Sequence, residues 1–458
     1  MLTDARGLSL STRNPDAARS FDRAIVALQT YRGDPLAPLD EAIAADPGFA
    51  GARVAKALVL MTLFERRFAR DAQAVLQAAA PHLGKANDRE QALAVAAGLV
   101  ADGDWHGGTA ALERVLVEHP RDALALQVAH LLDFVRGDAL NLRNRITRVL
   151  PHWSEAVPGY PYVLGMHAFG LEECHQYPEA ERAGRRALEL AADDSWAIHA
   201  VTHVMEMQGR IDEGIAWLDG RRSEWGAPDN GFAYHNAWHL ALFHLDRADH
   251  AAVLSLYDEW LAGAGAMALS RVDATALLWR LMLEGVDTGP RAAAMADAWE
   301  ADFDAEGGFY AFNDFHAALA FAQAGRSAAA GKLRQRIRQA AERDGANGPM
   351  TRLVGLGACE AAFAFCDGRE SVAVDRLVEI RDGASRFGGS HAQRDLLTLT
   401  LVEAATRSGQ RALAAHYLAE RLAQRPGNRW GARLLARARR GGGAHAEGAA
   451  SSARHAVS

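Results

Sequence analysis

Two histidine pairs stand out because each places its imidazoles four residues apart. The first lies in HAVTHVME, with His199 and His203, and the second lies in YHNAWH, with His235 and His239. A helix with 3.6 residues per turn puts residues at this spacing on one face. Glu206 follows His199 by two helical turns along the same stripe. We therefore expect a polar site here rather than an ordinary packed face.

These side chains have the chemistry of a metal centre. Zinc and other divalent metals bind histidine nitrogens and carboxylate oxygens, and a catalytic zinc site has three protein ligands and an open position. His199 and His203 could provide two ligands, and His235 or His239 could provide another from a neighbouring helix. Glu206 would then be a further ligand or a general base. Glu173, which lies one repeat earlier, could take the same role.

Two later segments place polar groups at the starts of helices. FNDFHAALAF carries Asp314 and His316, and GGSHAQRDLL carries His391, Arg394 and Asp395. An arginine is the natural partner of a carboxylate or phosphate, so the second segment favours an anionic ligand. These residues could join the histidines only if the chain curls back on itself.

The elements that position these residues follow a repeat. HQYPEAERAGRRAL (175–188) recurs as QGRIDEGIAWLDGR (208–221) and RADHAAVLSLYDEW (247–260). A helix–turn–helix unit of about 34 residues is the tetratricopeptide signature, and such units must stack to bury their apolar faces. The sequence predicts an all-α, tetratricopeptide-type α-solenoid of about 9–11 antiparallel helical hairpins, curled into a superhelix without a sheet. Residues 1–440 would form this single domain, and residues 441–458 a disordered tail.

The repeat register predicts where the polar side chains point. In such an array the first helix of each hairpin lines the concave surface, which brings Glu173 and the two histidine pairs to one cavity. Glu206 belongs to the same set. One full superhelical turn would bring His391, Arg394 and Asp395 to that cavity from the far end.

Composition and charge indicate which partners and which cellular compartment to expect. The formal net charge is −7, which gives no electrostatic reason to expect nucleic acid, and no apolar run reaches the length of a membrane span. The N-terminus does not resemble a signal peptide, and three cysteines without metal spacing are typical of a reducing compartment. We expect a cytoplasmic protein that binds neither nucleic acid nor membrane, and self-association is left open.

The chain resembles the tetratricopeptide repeat protein 38 family, which includes the StaR-like bacterial proteins of antibiotic gene clusters. The resemblance is carried, in order, by FGLEE, WAIHAVTHVMEMQGR, YHNAWHLALF, FNDFHAALA and GGSHAQRD. It implies an α-solenoid with a polar groove, and it does not supply a reaction.

Four interpretations remain open at this point. The leading one is a concave pocket rich in His, Glu, Asp and Arg that binds a small polar or anionic ligand, or a peptide against Tyr234 and Trp238. The alternative is a hydrolase-type enzyme that depends on zinc or another divalent metal. The histidines could also join helices through buried hydrogen bonds. The candidate residues are the metal ligands His199, His203, His235 and His239, the catalytic carboxylates Glu173, Glu206 and Asp395, and the ligand-binding residues Trp238, Asp314, His316, His391 and Arg394.

Overall fold

Helices account for nearly all of the regular structure in the computed structural model, which describes residues 2–263 and 267–440. The predicted tail, 441–458, lies outside the described residues. The helices of the first half are α1 Pro15–Thr30, α2 Leu36–Ala45, α3 Ala50–Met61, α4 Arg66–Leu83, α5 Asp88–Ala101, α6 Trp105–Glu118, α7 Ala123–Val135, α8 Ala139–Val149, α9 Tyr160–Glu173, α10 Tyr177–Leu190, α11 Ser195–Met207, α12 Ile211–Asp219 and α13 Arg222–Trp225.

The second half continues in the same way. Its helices are α14 Ala233–Asp246, α15 His250–Leu256, α16 Ala268–Leu283, α17 Arg291–Glu306, α18 Ala311–Gln323, α19 Ser327–Ala341, α20 Asn347–Met350, α21 Leu356–Cys366, α22 Glu370–Ile380, α23 His391–Arg407, α24 Arg411–Gln424 and α25 Arg429–Arg440. Short 3₁₀ segments cover Leu150–His152 and Arg381–Phe387, and π-helical turns cover Tyr257–Leu261 and Thr351–Gly355.

One small sheet departs from the expected all-helical chain. Strands β1 (Leu2–Thr3) and β2 (Ser9–Leu10) pair antiparallel, so the prediction of no sheet is wrong at this point. The backbone amide of Ala5, in the turn between them, donates to the carboxylate of Asp22 on α1. The pairing therefore belongs to a short N-terminal extension that packs on the first hairpin.

Consecutive helices pack as antiparallel hairpins. Within the described ranges there are eleven: α1–α2, α3–α4, α5–α6, α7–α8, α9–α10, α11–α12, α14–α15, α16–α17, α18–α19, α21–α22 and α23–α24. The prediction of an all-α helical-repeat fold is confirmed. None of the described helices combines the length and the apolar run that a bilayer crossing requires.

The first and second helices of a hairpin differ in burial. Every residue of α11 is buried, whereas α10 buries only its narrow stripe of Ala180, Gly184 and Ala187. The narrow stripe is the mark of an amphipathic helix with one face in solvent. The first helices therefore form an inner layer, and polar side chains on them are removed from bulk water.

Loops that are one superhelical turn apart touch one another. The backbone amide of Ala346 donates to the carbonyl oxygen of Gly103 at 2.9 Å. At Gly137, a Cβ atom would lie 1.8 Å from the carbonyl oxygen of Ser385. Hydrogen bonds of this kind join residues that are 218 positions apart, as between His391 and Glu173, and up to 249 positions apart, as between Asn313 and Phe64. The superhelix is thus tight enough for its successive turns to be in contact.

Candidate functional site

Four histidines from two inner-layer helices form one cluster. His199 and His203 lie on α11, and His235 and His239 lie on α14. Their ring centroids are 4.4 to 5.0 Å apart for the five pairs in ring contact. One ring nitrogen of each histidine lies within 4.8 Å of one ring nitrogen of every other. The structure thus brings together all four residues that the sequence proposes as metal ligands.

Local sequence explains why both pairs face inward. The side chain of Asp194 caps α11 by accepting hydrogen bonds from the amides of Trp196 and Ala197. The first turn is thereby fixed, and the four-residue spacing puts His199 and His203 on the same side of α11. The same spacing acts on α14, which packs directly against α11.

Carboxyl groups lie behind three of the four rings. Nδ1 of His235 donates to Asp273 on α16 at 2.6 Å, and Nδ1 of His239 donates to Glu206 at 3.0 Å. A carboxyl oxygen of Glu172 lies 3.5 Å from Nδ1 of His203. These contacts turn the remaining nitrogen, Nε2, of each ring away from its carboxyl group and toward the other imidazoles.

Three of the four histidines are held neutral. Burial lowers the pKa of His199, His203 and His239 well below the ordinary value, and the neighbouring imidazoles lower it further. A neutral imidazole has one nitrogen lone pair, which is the form that binds a metal or accepts a hydrogen bond.

Glu206 is part of a buried chain of charges. Its second carboxylate oxygen accepts from Arg425 at 2.9 Å, and Arg425 lies 3.5 Å from Asp395. Arg421 donates to both oxygens of Asp395 at 2.8 Å. Burial alone would raise the pKa of Asp395, but Arg421 and Arg425 outweigh it and lower that pKa below its usual range. Arg425 thus joins the buried carboxyl groups of Glu206 and Asp395.

A second acidic group lies on the other side of the cluster. Burial, with Glu173 next to it, raises the pKa of Glu172 well above the usual value. Glu173 accepts from the backbone amide of His391 at 2.9 Å and lies 3.3 Å from the guanidinium of Arg394. These two groups lower the pKa of Glu173 despite its burial. The structure therefore places His391 and Arg394 beside Glu173.

An internal cavity of about 470 Å³ adjoins the cluster, and His199 and His235 form part of its wall. The wall also has Asp273, Ser390 and Gln393 as polar groups. Nine of the lining residues are aromatic: Tyr31, Phe64, Phe134, Phe169, Trp196, Phe232, Tyr234, Tyr310 and Phe312. The surface next to the histidines is thus mainly apolar, unlike the polar groove expected from the sequence, because aromatic residues occupy the inward faces of the surrounding helices.

The aromatic rings pack around the histidines. The ring of Tyr31 stacks on Trp196 with centroids 5.4 Å apart and an interplanar angle of 13°. Phe232 lies 5.1 Å from the ring of His199 and 4.8 Å from the ring of His235. At the outer end the cavity is bounded by residues 33–36, which include the exposed Asp34.

None of the five candidate ligand-binding residues lines this cavity: His391 and Arg394 lie beside Glu173, and the other three lie elsewhere. Trp238 is fully buried behind the cluster, where its ring stacks on His235 with centroids 5.4 Å apart. Asp314 accepts from the amide of Gly308 at 2.9 Å and lines a smaller pocket. Nδ1 of His316 donates to the carbonyl oxygen of Phe312 at 2.8 Å. Trp238 supports the cluster, whereas the other two belong to the packing of α18.

Sequence reasoning missed three residues that contact the candidates. Asp273, Glu172 and Arg425 are not among the site residues proposed from the sequence. A signal existed for Asp273, since it is a single acid within the apolar stretch VDATALLW. Arg425 lies 219 residues from its partner Glu206, and no local pattern connects the two.

No protein-family model matches the chain. Solved structures that are similar to it include a human IFIT1 dimer with m7Gppp-AAAA, which has 13% identity and a TM-score of 0.43 over 85% of this chain and 90% of that one. The Cut9–Hcn1 hetero-tetramer of the APC/C has 13% identity and a TM-score of 0.44 over 93% and 78%. The P58(IPK) TPR domain has 12% identity and a TM-score of 0.23 over 77% and 98%.

The similarity to these structures is distant, and the helical-repeat assignment rests on the hairpins themselves. These comparisons are too distant to test the expectation that the chain binds no nucleic acid. That expectation, like the resemblance to the tetratricopeptide repeat protein 38 family, stays a prediction.

Proposed function

We propose that the protein binds a small, mainly apolar molecule in the internal cavity next to the four histidines. The observation that carries this proposal is the cavity itself, a space of about 470 Å³ with nine aromatic residues in its wall. Pockets of about 300–1,000 Å³ with apolar walls and a few convergent polar groups are typical of small-molecule sites. Aromatic walls favour flat or bulky apolar ligands.

Four polar groups of the wall form one patch. His199, His235, Asp273 and Gln393 are near neighbours, because His235 contacts both His199 and Asp273, and Gln393 lies 3.3 Å from Asp273. A ligand with one polar end would direct that end toward this patch. The remainder of the ligand would lie against aromatic and aliphatic side chains.

The charge of the wall argues against a strongly anionic ligand. Among the described lining residues there is no Lys or Arg. Arg394 is the expected partner of an anion, but its guanidinium forms an ion pair with Glu173 and donates a hydrogen bond to the carbonyl oxygen of Gly389. A long peptide also has less support, because the loops of successive superhelical turns touch one another. We therefore favour a neutral ligand over the anionic ligand or peptide that the sequence suggests.

The test uses a neutral fluorescent probe, N-phenyl-1-naphthylamine, whose emission rises in an apolar site. We expect saturable binding to the intact chain. Val59→Trp, which fills part of the cavity, should weaken this binding at least about tenfold because it removes ligand volume. Val117→Trp is the matched control, since Val117 is 75% exposed on α6.

Ligand binding should also stabilise the fold. A site occupied at 100 times its dissociation constant adds about 2.7 kcal/mol to the free energy of unfolding. Val59→Trp should lose this gain, and Val117→Trp should keep it. Equal probe binding by both variants, or an absence of saturable binding to the parent chain, would contradict the proposal.

A second candidate is a metal-dependent enzyme, because His199 and His235 belong both to the cavity wall and to the four-histidine cluster. Hydrolysis would need a free carboxylate as general base. Glu173 and Glu206, the expected bases, are each paired with an arginine, Arg394 and Arg425 respectively. A hydrolase therefore has less support than ligand binding.

A further inference from the structure

The histidine cluster leaves several ring nitrogens without hydrogen bonds. Both nitrogens of His203, Nε2 of His239 and Nδ1 of His199 are buried and have no hydrogen-bond partner among the described residues. Each buried polar atom left unpaired costs about 1–3 kcal/mol. Native proteins leave few such atoms, so a concentration of them in one place calls for a ligand that accepts their lone pairs.

The carboxyl groups around the cluster fix which nitrogen carries a lone pair. An ionised carboxylate can only accept hydrogen bonds, so Nδ1 of His235 and of His239 each carries the proton donated to Asp273 or Glu206. Nε2 of each ring is then an acceptor directed into the cluster. Metal-bound histidines almost always have such a partner on the other ring nitrogen, which orients the ring and raises its basicity.

The spacing of the nitrogens fits a bound ion. Nε2 of His199 and Nε2 of His235 lie 3.1 Å apart. Two nitrogens bound to a tetrahedral ion at 2.0–2.1 Å would be about 3.3–3.4 Å apart. All four ligand nitrogens lie within 4.8 Å of one another, and small rotations of the rings would bring the more distant ones to binding distance.

We propose that His199, His203, His235 and His239 form a binding site for a divalent first-row transition metal ion. Four imidazoles suit zinc, iron, cobalt, nickel or copper, whereas magnesium and calcium prefer oxygen ligands. The ion would lie directly behind the cavity wall that His199 and His235 help to form. This inference does not depend on the proposed apolar ligand, since the ligand atoms of the metal are all supplied by the chain.

The carboxyl groups act through the histidines. Asp273, Glu206 and Glu172 are positioning residues, because each contacts the outer nitrogen of one ring. Glu206 was expected from the sequence to be a ligand or a base. In the structure its two carboxylate oxygens accept hydrogen bonds from His239 and Arg425.

The experiment uses the full chain purified without a histidine tag. Metal content is measured by mass spectrometry, and the chain is then stripped with a chelator and titrated with Co²⁺ while the visible absorption is recorded. We expect saturation at one ion per chain, with ligand-field bands typical of nitrogen coordination, and no competition from excess Mg²⁺. His203→Gln and His239→Gln should each weaken Co²⁺ binding at least about 100-fold.

Two further variants allow the metal site to be tested even if the histidine variants fold poorly. His244→Gln is the matched control, because His244 is on the same helix but contacts Asp249 at the periphery, and it should bind Co²⁺ normally. Asp273→Asn should weaken binding about 10–100-fold while keeping the absorption bands, as expected for a residue that only orients a ligand. Circular dichroism checks the fold of each variant.

Three results would overturn the inference. They are the absence of saturable Co²⁺ binding by the parent chain, normal binding by a folded His203→Gln variant, and equal loss in His244→Gln and His239→Gln. Unchanged affinity in Asp273→Asn would remove its positioning role. Binding of the apolar probe to the metal-stripped chain is measured in parallel, so failure of the metal site and failure of the cavity proposal are distinguishable.

Discussion

Substitution of Asp314 by asparagine should change the pH dependence of stability. Asp314 is buried at the start of α18, where one carboxyl oxygen accepts from Gly308 and the other has no hydrogen-bond partner among the described residues. Burial raises its pKa from 3.8 to about 7, although the amide of Gly308 and the charge of Arg66 oppose the rise. Between about pH 4 and about pH 7, Asp314 is therefore mainly protonated in the folded chain and mainly ionised in the unfolded chain.

The sign of the effect follows from proton binding. Between the unfolded pKa of 3.8 and the folded pKa of about 7, the folded state of the parent chain holds a proton that the unfolded state has released. The free energy of unfolding therefore falls as pH rises through this window and levels off above it. A shift of about three pKa units, at about 1.4 kcal/mol each, sets an upper limit of about 4 kcal/mol.

Asparagine has nearly the shape of the protonated acid and does not titrate. Relative to the parent chain, Asp314→Asn should gain about 2–4 kcal/mol in the free energy of unfolding between about pH 4 and about pH 8.5. Urea denaturation at several pH values measures the difference. The pKa of Asp194 is also raised to about 7 by burial, but Asp194 is present in both proteins and cancels. Asp71→Asn, an exposed position on α4, is the control and should show no such trend.

A difference between the parent chain and Asp314→Asn that does not vary with pH would refute this reasoning. It would mean that the carboxyl group is ionised in the folded state, or that water reaches it. The control variant separates this outcome from a general effect of net charge.

Two further predictions concern contacts between distant parts of the chain. Arg425→Met should lower the free energy of unfolding by about 3–5 kcal/mol, because it leaves the buried carboxylate of Glu206 without its cation. Adding Glu206→Gln should recover part of the loss. If the effects of the two substitutions simply add in urea denaturation, the two side chains are not coupled as a pair. Gly137→Ala and Gly325→Ala share a φ of +65° and the same backbone cost, but only at Gly137 would the new Cβ meet the carbonyl oxygen of Ser385. Gly137→Ala should therefore cost about 1–3 kcal/mol more, and equal effects in thermal unfolding would contradict the contact between superhelical turns.

The helical repeat was predictable because its signals are local. Turn glycines, small residues and 3.6-residue periodicity act within one hairpin, and the structure forms hairpins where those signals recur. The pairing of His199 with His203, and of His235 with His239, followed from helix geometry alone. The assignment of the first helix of each hairpin to the inner surface followed from the repeat register.

The surroundings of the histidines were not predictable in the same way. Asp273 and Arg425 reach the cluster from α16 and from the end of α24, and their placement depends on how far the superhelix rotates per hairpin. That rotation is the sum of many small packing angles, which no short sequence pattern encodes. The same limit applies to Asp314. The polar residues of its segment suggested that it lines the groove, whereas in the structure the orientation of α18 directs its carboxyl group toward Gly308.

Contact between successive superhelical turns has a consequence during synthesis. The amide of His391 binds Glu173, a residue made 218 positions earlier. At about 5–20 residues per second, a ribosome needs about 10–45 s to cover that distance. For this interval the inner surface of the first turn is exposed to the cell, with its aromatic residues and histidines uncovered. A chaperone, a metal ion or a ligand has its widest access to the interior in this period, before the second turn is complete.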